Sequence, residues 1–434
     1  MMNSATRRTG WRRSMWMVAL AGAIGATGVA WSGGWAWVSA QARTPHPRPQ
    51  TASTPTPPAA DAALAAFKTY YEQGVKDNAV VGSSIMVVRG GETLFRDFVG
   101  AARLEPRRAV DADTIYHWAS ITKTFTAIAI MQLRDRGRLT LDDPVVEHVP
   151  EFRAVHDPFG DIGEVTIRHM MTHSSGLRSA TWPWGGDKPW HPHEPTAWSQ
   201  VVAMFPYTQI EFKPGSRYSY SNPGIIFLGQ IIERLTGDDY EVYVDKNILR
   251  PLGMLQSYFD ATPYHLLANR SASYRMSKAG PKPARFDIDT GITVSNGGLN
   301  APLTDMVRYL HFLLGSADPA RQSVHDGVLR RSSLLEMFEP RLDAGSTGSD
   351  RVSMGLSFFV EDREGLHTVG HSGSQNAFIS HFYIVPALNL GYVVAFNTEW
   401  EMEKAGTPET VRQFDAAIRT RLLKEVFPAL ARDR

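Results

Sequence analysis

Strand-like runs stand near both ends of this chain and helix-like runs fill its middle, so a single sheet must draw its strands from the two ends. Near the start, V-V-G-S-S-I-M-V-V-R-G-G-E-T-L-F-R-D-F-V-G (80–100) predicts two strands joined at Arg89-Gly90-Gly91-Glu92, a hairpin signal. Near the end, runs at 354–360, 378–386 and 390–397 predict three more, the last two joined by a turn at Pro386-Ala387-Leu388-Asn389. Helical patterns flank these strands at 61–78 and 408–430, and 141–299 reads as helix and loop. The expected fold is α/β (α+β): an antiparallel sheet flanked by helices, built from about 61–140 and 300–434, with a largely helical inserted domain at about 141–299. No internal repeat is visible.

Residues 1–42 read as a signal peptide or N-terminal anchor. Arg7, Arg8, Arg12 and Arg13 precede an uncharged stretch at 14–40, and Ala40-Gln41-Ala42 has the small-residue character of a cleavage site. We favour cleavage; a retained segment is long enough to span a bilayer and would tether the body to the outer face. Residues 43–60 form a Pro/Thr-rich linker ahead of the main body at 61–434. The chain has no cysteine, which excludes disulfides, thiolate metal sites and an acylated lipoprotein Cys. A formal charge of +1 gives nucleic acid no basic stripe to bind.

Three short motifs carry chemistry. Ser120-Ile121-Thr122-Lys123 stands where a loop enters an apolar helix, and residues three apart share a helical face. A desolvated, neutral Lys123 can then serve as base to a Ser120 nucleophile. The plain alternative is a solvated lysine one turn from a serine. Tyr220-Ser221-Asn222 precedes the next apolar helix. A phenol near a lysine ammonium can lose its proton below its ordinary value and shuttle it, and Asn222 can hold the lysine or a substrate amide. Alternatively, the Tyr packs on the core and the Asn caps the helix. Gly370-His371-Ser372-Gly373-Ser374 stands before the strand expected near Ala377, where an edge N–H could help form an oxyanion hole. His325-Asp326-Gly327 repeats the pattern in a polar loop, and Lys278-Ala279-Gly280 is followed by Pro281, which has no N–H to donate.

In this order the motifs resemble those of the serine β-lactamase and penicillin-binding-protein superfamily, in its class C β-lactamase-like branch. The flanks W-A-S-I-T-K-T-F-T-A, F-K-P-G-S-R-Y-S-Y-S-N-P-G and G-G-L-N-A-P-L-T-D-M are similar too, and the likeness covers about 65–425. The resemblance implies Ser120 as acylated nucleophile, Lys123 as its base and Tyr220 as proton shuttle. It implies that Asn222 binds Lys123 and substrate amide, and that the N–H groups of Ser120 and Ser374, beyond Gly373, make the oxyanion hole. His371 takes the place of a lysine that attracts substrate carboxylate in β-lactamases, and a histidine is mostly neutral at pH 7. An ester or a D-amino-acid peptide is therefore the expected small-molecule substrate, with β-lactamase or D-alanyl-D-alanine carboxypeptidase activity as the alternative. A rival of another class is a binding or sensor protein that is acylated without turnover. No cofactor, metal or nucleic acid is expected.

Two further signals compete. His169 and His173 stand four apart, a metal-binding spacing on a helix, with His191 and His193 beyond, but no His-Glu-x-x-His accompanies them. Trp182, Trp184, Trp190 and Trp198 fall in one loop that either walls a substrate cleft or packs down. No Gly-x-Ser-x-Gly is present, which argues against an α/β-hydrolase elbow.

Overall fold

A computed structural model describes residues 58–178, 195–284, 290–400 and 410–432. The N-terminal segment, most of the linker and the loop bearing Trp182, Trp184, Trp190, His191 and His193 lie outside the described residues. Among those described, no helix is long and apolar enough to cross a membrane.

Nine strands make one antiparallel sheet: β1 (Gly82–Arg89), β2 (Glu92–Arg103), β3 (Arg108–Ala109), β4 (Leu342–Asp343), β5 (Arg351–Met354), β6 (Phe359–Arg363), β7 (Leu366–Gln375), β8 (Phe378–Val385) and β9 (Leu390–Phe396). Their spatial order is β3-β2-β1-β9-β8-β7-β6-β5-β4. The first and last long strands therefore meet at the centre, with Ser83 opposite Phe396 and Arg89 opposite Leu390. The helices that matter here are α1 (Pro58–Asp77), α2 (Thr122–Asp135), α3 (Asn222–Thr236), α4 (Leu303–Leu314), α5 (Pro319–Val328), α6 (Thr410–Arg421) and α7 (Phe427–Arg432).

Side chains alternate across the sheet, as a period of two requires. Ile85, Val87, Tyr392 and Val394 pack with Phe67 and Tyr71 of α1 and with Phe414 and Phe427 of the C-terminal helices. Met86, Val88, Val393 and Ala395 face the opposite core, which holds α2 and α4. There the rings of Phe125 and Tyr309 stack at 4.2 Å, and the Tyr309 hydroxyl donates to Thr124 Oγ1 at 2.8 Å. Arg419 of α6 is fixed to the sheet by a buried ion pair with Glu361 at 2.7 Å, its guanidinium over the Tyr383 ring.

The α/β arrangement expected from the sequence is the one observed, with two local corrections. The run 354–360 is not a strand: β5 ends at Met354, and 355–358 turn, with Ser357 in the left-handed region (φ 61°). Leu356 and Phe358 there bury their side chains without strand geometry. Second, Gly370–Ser374 does precede a strand, β8 from Phe378, but itself lies inside β7. Its glycines and serines have weak strand preference, so partners on either side, not local propensity, make it a strand. The helical middle also carries small strands at Tyr274–Ser277 and Gly280–Pro283, the former running parallel to Thr398–Trp400.

Candidate active site

Helix α2 is apolar on every side and buried from Thr122 to Leu133, which marks it as the central helix of the core. Lys123 in its first turn has no exposed surface, and desolvation alone holds its amine well below the ordinary lysine range. Nζ stands 3.0 Å from Ser120 Oγ and donates to the main-chain carbonyl of Asn296 at 2.8 Å. Burial thus favours the uncharged amine, the form able to take a proton from the serine hydroxyl.

The turn that carries Ser120 is rigid. Trp118 is fully buried, donates its N–H to Leu299 O at 2.8 Å and its Nε1–H to Ala301 O at 2.9 Å. Ala119 then adopts φ 47°, uncommon for a residue with a Cβ, and a 3-10 turn (Ala119–Ile121) leads into α2. Thr122 closes the turn by donating to Ala119 O at 2.7 Å while accepting from Leu299 N–H at 3.1 Å. Ser120 itself remains partly exposed.

Tyr220 reaches the same point from the loop ahead of α3. Its ring lies with its centroid 5.0 Å from Lys123 Nζ, and its hydroxyl is hydrogen-bonded to Ser120. Desolvation drives the phenol pKa up, only partly offset by Ser120. This overturns the expected lowering of Tyr220: burial outweighs the hydrogen bond with Ser120 and keeps the phenol protonated.

Behind Tyr220 stands His173, which the sequence offered only as a metal ligand. The helix expected to align it with His169 ends at Met171, and His173 turns away at φ 53°. Its ring stacks on Tyr220 at 4.5 Å, and its Nδ1 accepts from Ser221 N–H at 3.1 Å. Burial and the neighbouring Lys123 keep it neutral, its pKa well below the ordinary value. His169 instead closes a capping box with Thr166. No cluster of potential metal ligands occurs among the described residues.

Ser221, not Asn222, caps α3 by accepting from Gly224 N–H at 3.2 Å. Asn222 does not hold Lys123 either; the Asn296 carbonyl does. The Asn222 Oδ1 is buried without a partner, an acceptor left for something else.

On the far side lies β7. Its hairpin with β8 turns through Asn376 and Ala377, both left-handed (φ 50° and 65°), so Gln375 and Phe378 form the hydrogen-bonded closing pair. Alternation then sends the N–H groups of Gln375, Gly373 and His371 to β8, and those of Ser374 and Ser372 to the other edge. Pairing with β6 stops at Gly370, so that edge is open beside the Ser120 turn. Gly373 allows the approach: a Cβ built on it would stand 2.1 Å from Trp118 O.

His371 is 1% exposed, with Nδ1 2.6 Å from Ser372 O and Nε2 buried without a partner. Burial, reinforced by Lys123, lowers its pKa to about 3, so it is uncharged at neutral pH. Its ring lies among Tyr220 and Phe359, at 6.4 and 5.2 Å. A cation does approach Ser374: Arg412 Nη2 donates to its Oγ at 2.7 Å and to Glu399 Oε1 at 2.5 Å. The structure thus brings Ser120, Lys123, Tyr220, Asn222, His371, Gly373 and Ser374 to one groove. Sequence reasoning missed Asn296, His173, Phe359 and Arg412, for which no short motif gives a signal.

Comparison with known proteins bears on this groove. The family model described as Beta-lactamase matches residues 67–415. Esterase EstB of Burkholderia gladioli is 32% identical over 388 residues, covering 80% of this chain and 94% of EstB. Protein flp of Staphylococcus aureus (strain COL) is 26% identical over 333 residues, or 77% of this chain, which spans 63% of that relative's length. A class C beta-lactamase of known structure superposes with a TM-score of 0.67 at 20% identity, covering 84% of this chain and 96% of that one, a likeness of fold alone.

Proposed function

The chain belongs to the beta-lactamase family of serine hydrolases, and on that footing we propose that it cleaves carboxylic esters through an acyl-enzyme on Ser120. The observation that carries this reading is the dry amine of Lys123 3.0 Å from Ser120 Oγ. Ser120 Oγ attacks the ester carbonyl carbon as its proton passes to Lys123 Nζ. The oxyanion forms in the groove between the N–H groups of Ser120 and Ser374. As the C–O bond breaks, the leaving alkoxide takes the Tyr220 proton, which the Lys123 ammonium replaces. Water then repeats the sequence on the acyl-serine and restores both groups. Asn222 Oδ1 is available to accept an N–H where the substrate has one.

Ester preference is supported by charge. His371 is neutral and Arg412 is paired with Glu399, so among the described residues these groups offer an acidic substrate no uncompensated cation. The name of the esterase relative points the same way. One observation favours a second reading: Arg412 beside Ser374 would engage the carboxylate of a D-peptide or β-lactam if Glu399 were displaced. Assay of the purified protein on esters, D-peptides and a cephalosporin, with fluorophosphonate labelling of wild type and Ser120→Ala, decides. Ester turnover and labelling that both vanish in Ser120→Ala are expected. A single stoichiometric burst without turnover on every substrate would instead make it a sensor.

The reading includes export of the body, supported by the basic flank and uncharged stretch at 14–40. Cell fractionation tests it: activity confined to the cytoplasmic fraction would overturn it.

A further inference from the structure

We propose that a second cavity, between the β1–β2 hairpin and helices α4 and α5, binds a phosphate-bearing anion. The cavity measures about 480 Å³ and shares no residue with the Ser120 groove. Its lining includes Arg96 from β2, Arg308 and His311 from α4, and Arg321 and His325 from α5. No carboxylate lines it. Two acidic groups bear on the lining: Asp326, whose charge reaches His325 and whose carboxylate accepts from Gln322 Nε2 and Arg331 N–H, and Asp305, which takes Arg308 Nη1 at 2.7 Å and also accepts from Gln256 N–H and Ser257 Oγ–H. Arg308 is thereby neutralised. Among the described residues, neither Arg96 nor Arg321 has an ion-pair partner, and the Arg321 guanidinium rests against the hairpin turn at Gly91.

The imidazoles add ring nitrogens without partners. His325 is 6% exposed, with its ring edge-on to Phe312 at 5.8 Å, and its Nδ1 is buried and unsatisfied. His311 Nε2 is likewise orphaned. Buried ring nitrogens without partners are costly in a folded chain, and in the tautomer that protonates them an anion's oxygens supply the acceptors. Two uncompensated guanidinium groups leave a charge that one dianion cancels, whereas a monocarboxylate cancels half. A phosphomonoester carries about −1.5 to −2 at pH 7 and offers three acceptor oxygens, which guanidinium groups grip bidentately. Met86, Leu252 and Val307 give the cavity an apolar wall for an organic half.

The inference is independent of the ester reading, because its test does not use turnover as the binding signal. The full chain is titrated calorimetrically with inorganic phosphate, phenyl phosphate and benzoate in chloride buffer. Saturable one-to-one binding of the phosphates is expected, with benzoate about tenfold weaker or worse, because it leaves one guanidinium uncancelled. Arg96→Gln and Arg321→Gln should each weaken phosphate about tenfold or more, and Arg321→Lys less, with ester turnover unchanged in all three. Tighter phenyl phosphate would identify the ligand as an organic phosphate, and equal binding as phosphate itself. Absence of saturable binding, benzoate binding as tightly as phosphate, or indifference to both Gln substitutions would overturn the assignment.

Discussion

Gly373 runs so close to Trp118 that a methyl group on its Cα would stand 2.1 Å from the Trp118 carbonyl oxygen. Strand and nucleophile turn are thus locked at a spacing that only a residue without a side chain permits. Gly373→Ala should push β7 away and carry the Ser374 N–H out of reach of the oxyanion. Loss of one such donor costs about 10²–10³ in kcat. Steady-state ester kinetics together with circular dichroism would separate this from unfolding; unchanged kcat in a folded variant would refute it.

Burying the Lys123 amine costs stability. Its folded pKa lies below its unfolded one, so between the two values the unfolded chain binds the extra proton and folding stability rises with pH. Lys123→Met should therefore lower acylation by about 10²–10⁴-fold, the range for a lost general base, and raise Tm at neutral pH by a few degrees. The gain in Tm should shrink as pH approaches the ordinary lysine value. Scanning calorimetry at several pH values checks the sign.

Tyr220→Phe keeps the ring stacked on His173 and removes only the hydroxyl next to Ser120. Tm should hold, while kcat falls by about 10²-fold or more through the lost proton donor. Esters with acidic leaving groups, which need little protonation, should be affected least.

His371 is lowered to about 3 and His117, buried between Asn300 and Gln375, to about 4. Each contributes stability in full above the unfolded histidine value, and that contribution is lost as pH falls toward the folded values. Acid unfolding should begin just below about pH 6.5, and His371→Gln should flatten the slope. For the same reason, affinity for an acid-ended inhibitor should show no His371 titration between about pH 5 and 9.

Asn222→Ala should distinguish substrates. An orphaned acceptor matters only when a partner arrives, so kcat/KM should drop about tenfold for esters bearing an acylamino group and hardly change for simple acetates. Equal losses on both would show a structural role instead.

What the sequence disclosed was whatever is local. Ser120 and Lys123 sit within one helical turn, so their meeting follows from helix geometry, and the β1–β2 hairpin follows from Gly90-Gly91 at its turn. Non-local partners were invisible. The carbonyl that holds Lys123 belongs to Asn296, 173 positions later, and its contribution is backbone, which any residue type could make. The protonation states were hidden as well: Tyr220 and His371 are set by burial, which no tripeptide encodes. His173 misled because its spacing from His169 matched a helix that stops two residues short of it.

The pairing of β1 with β9 has a consequence for how the molecule comes into being. Ser83 donates to the Ala395 carbonyl across 312 positions, so the centre of the sheet cannot close until β9 has been synthesised. Such long-range closure makes folding slow and all-or-none, and fragments ending before β9 would leave β1 with a bare edge prone to aggregation. The groove around Ser120 is backed by β7 and β8, so hydrolytic activity should appear only once β9 has been made and has closed the sheet.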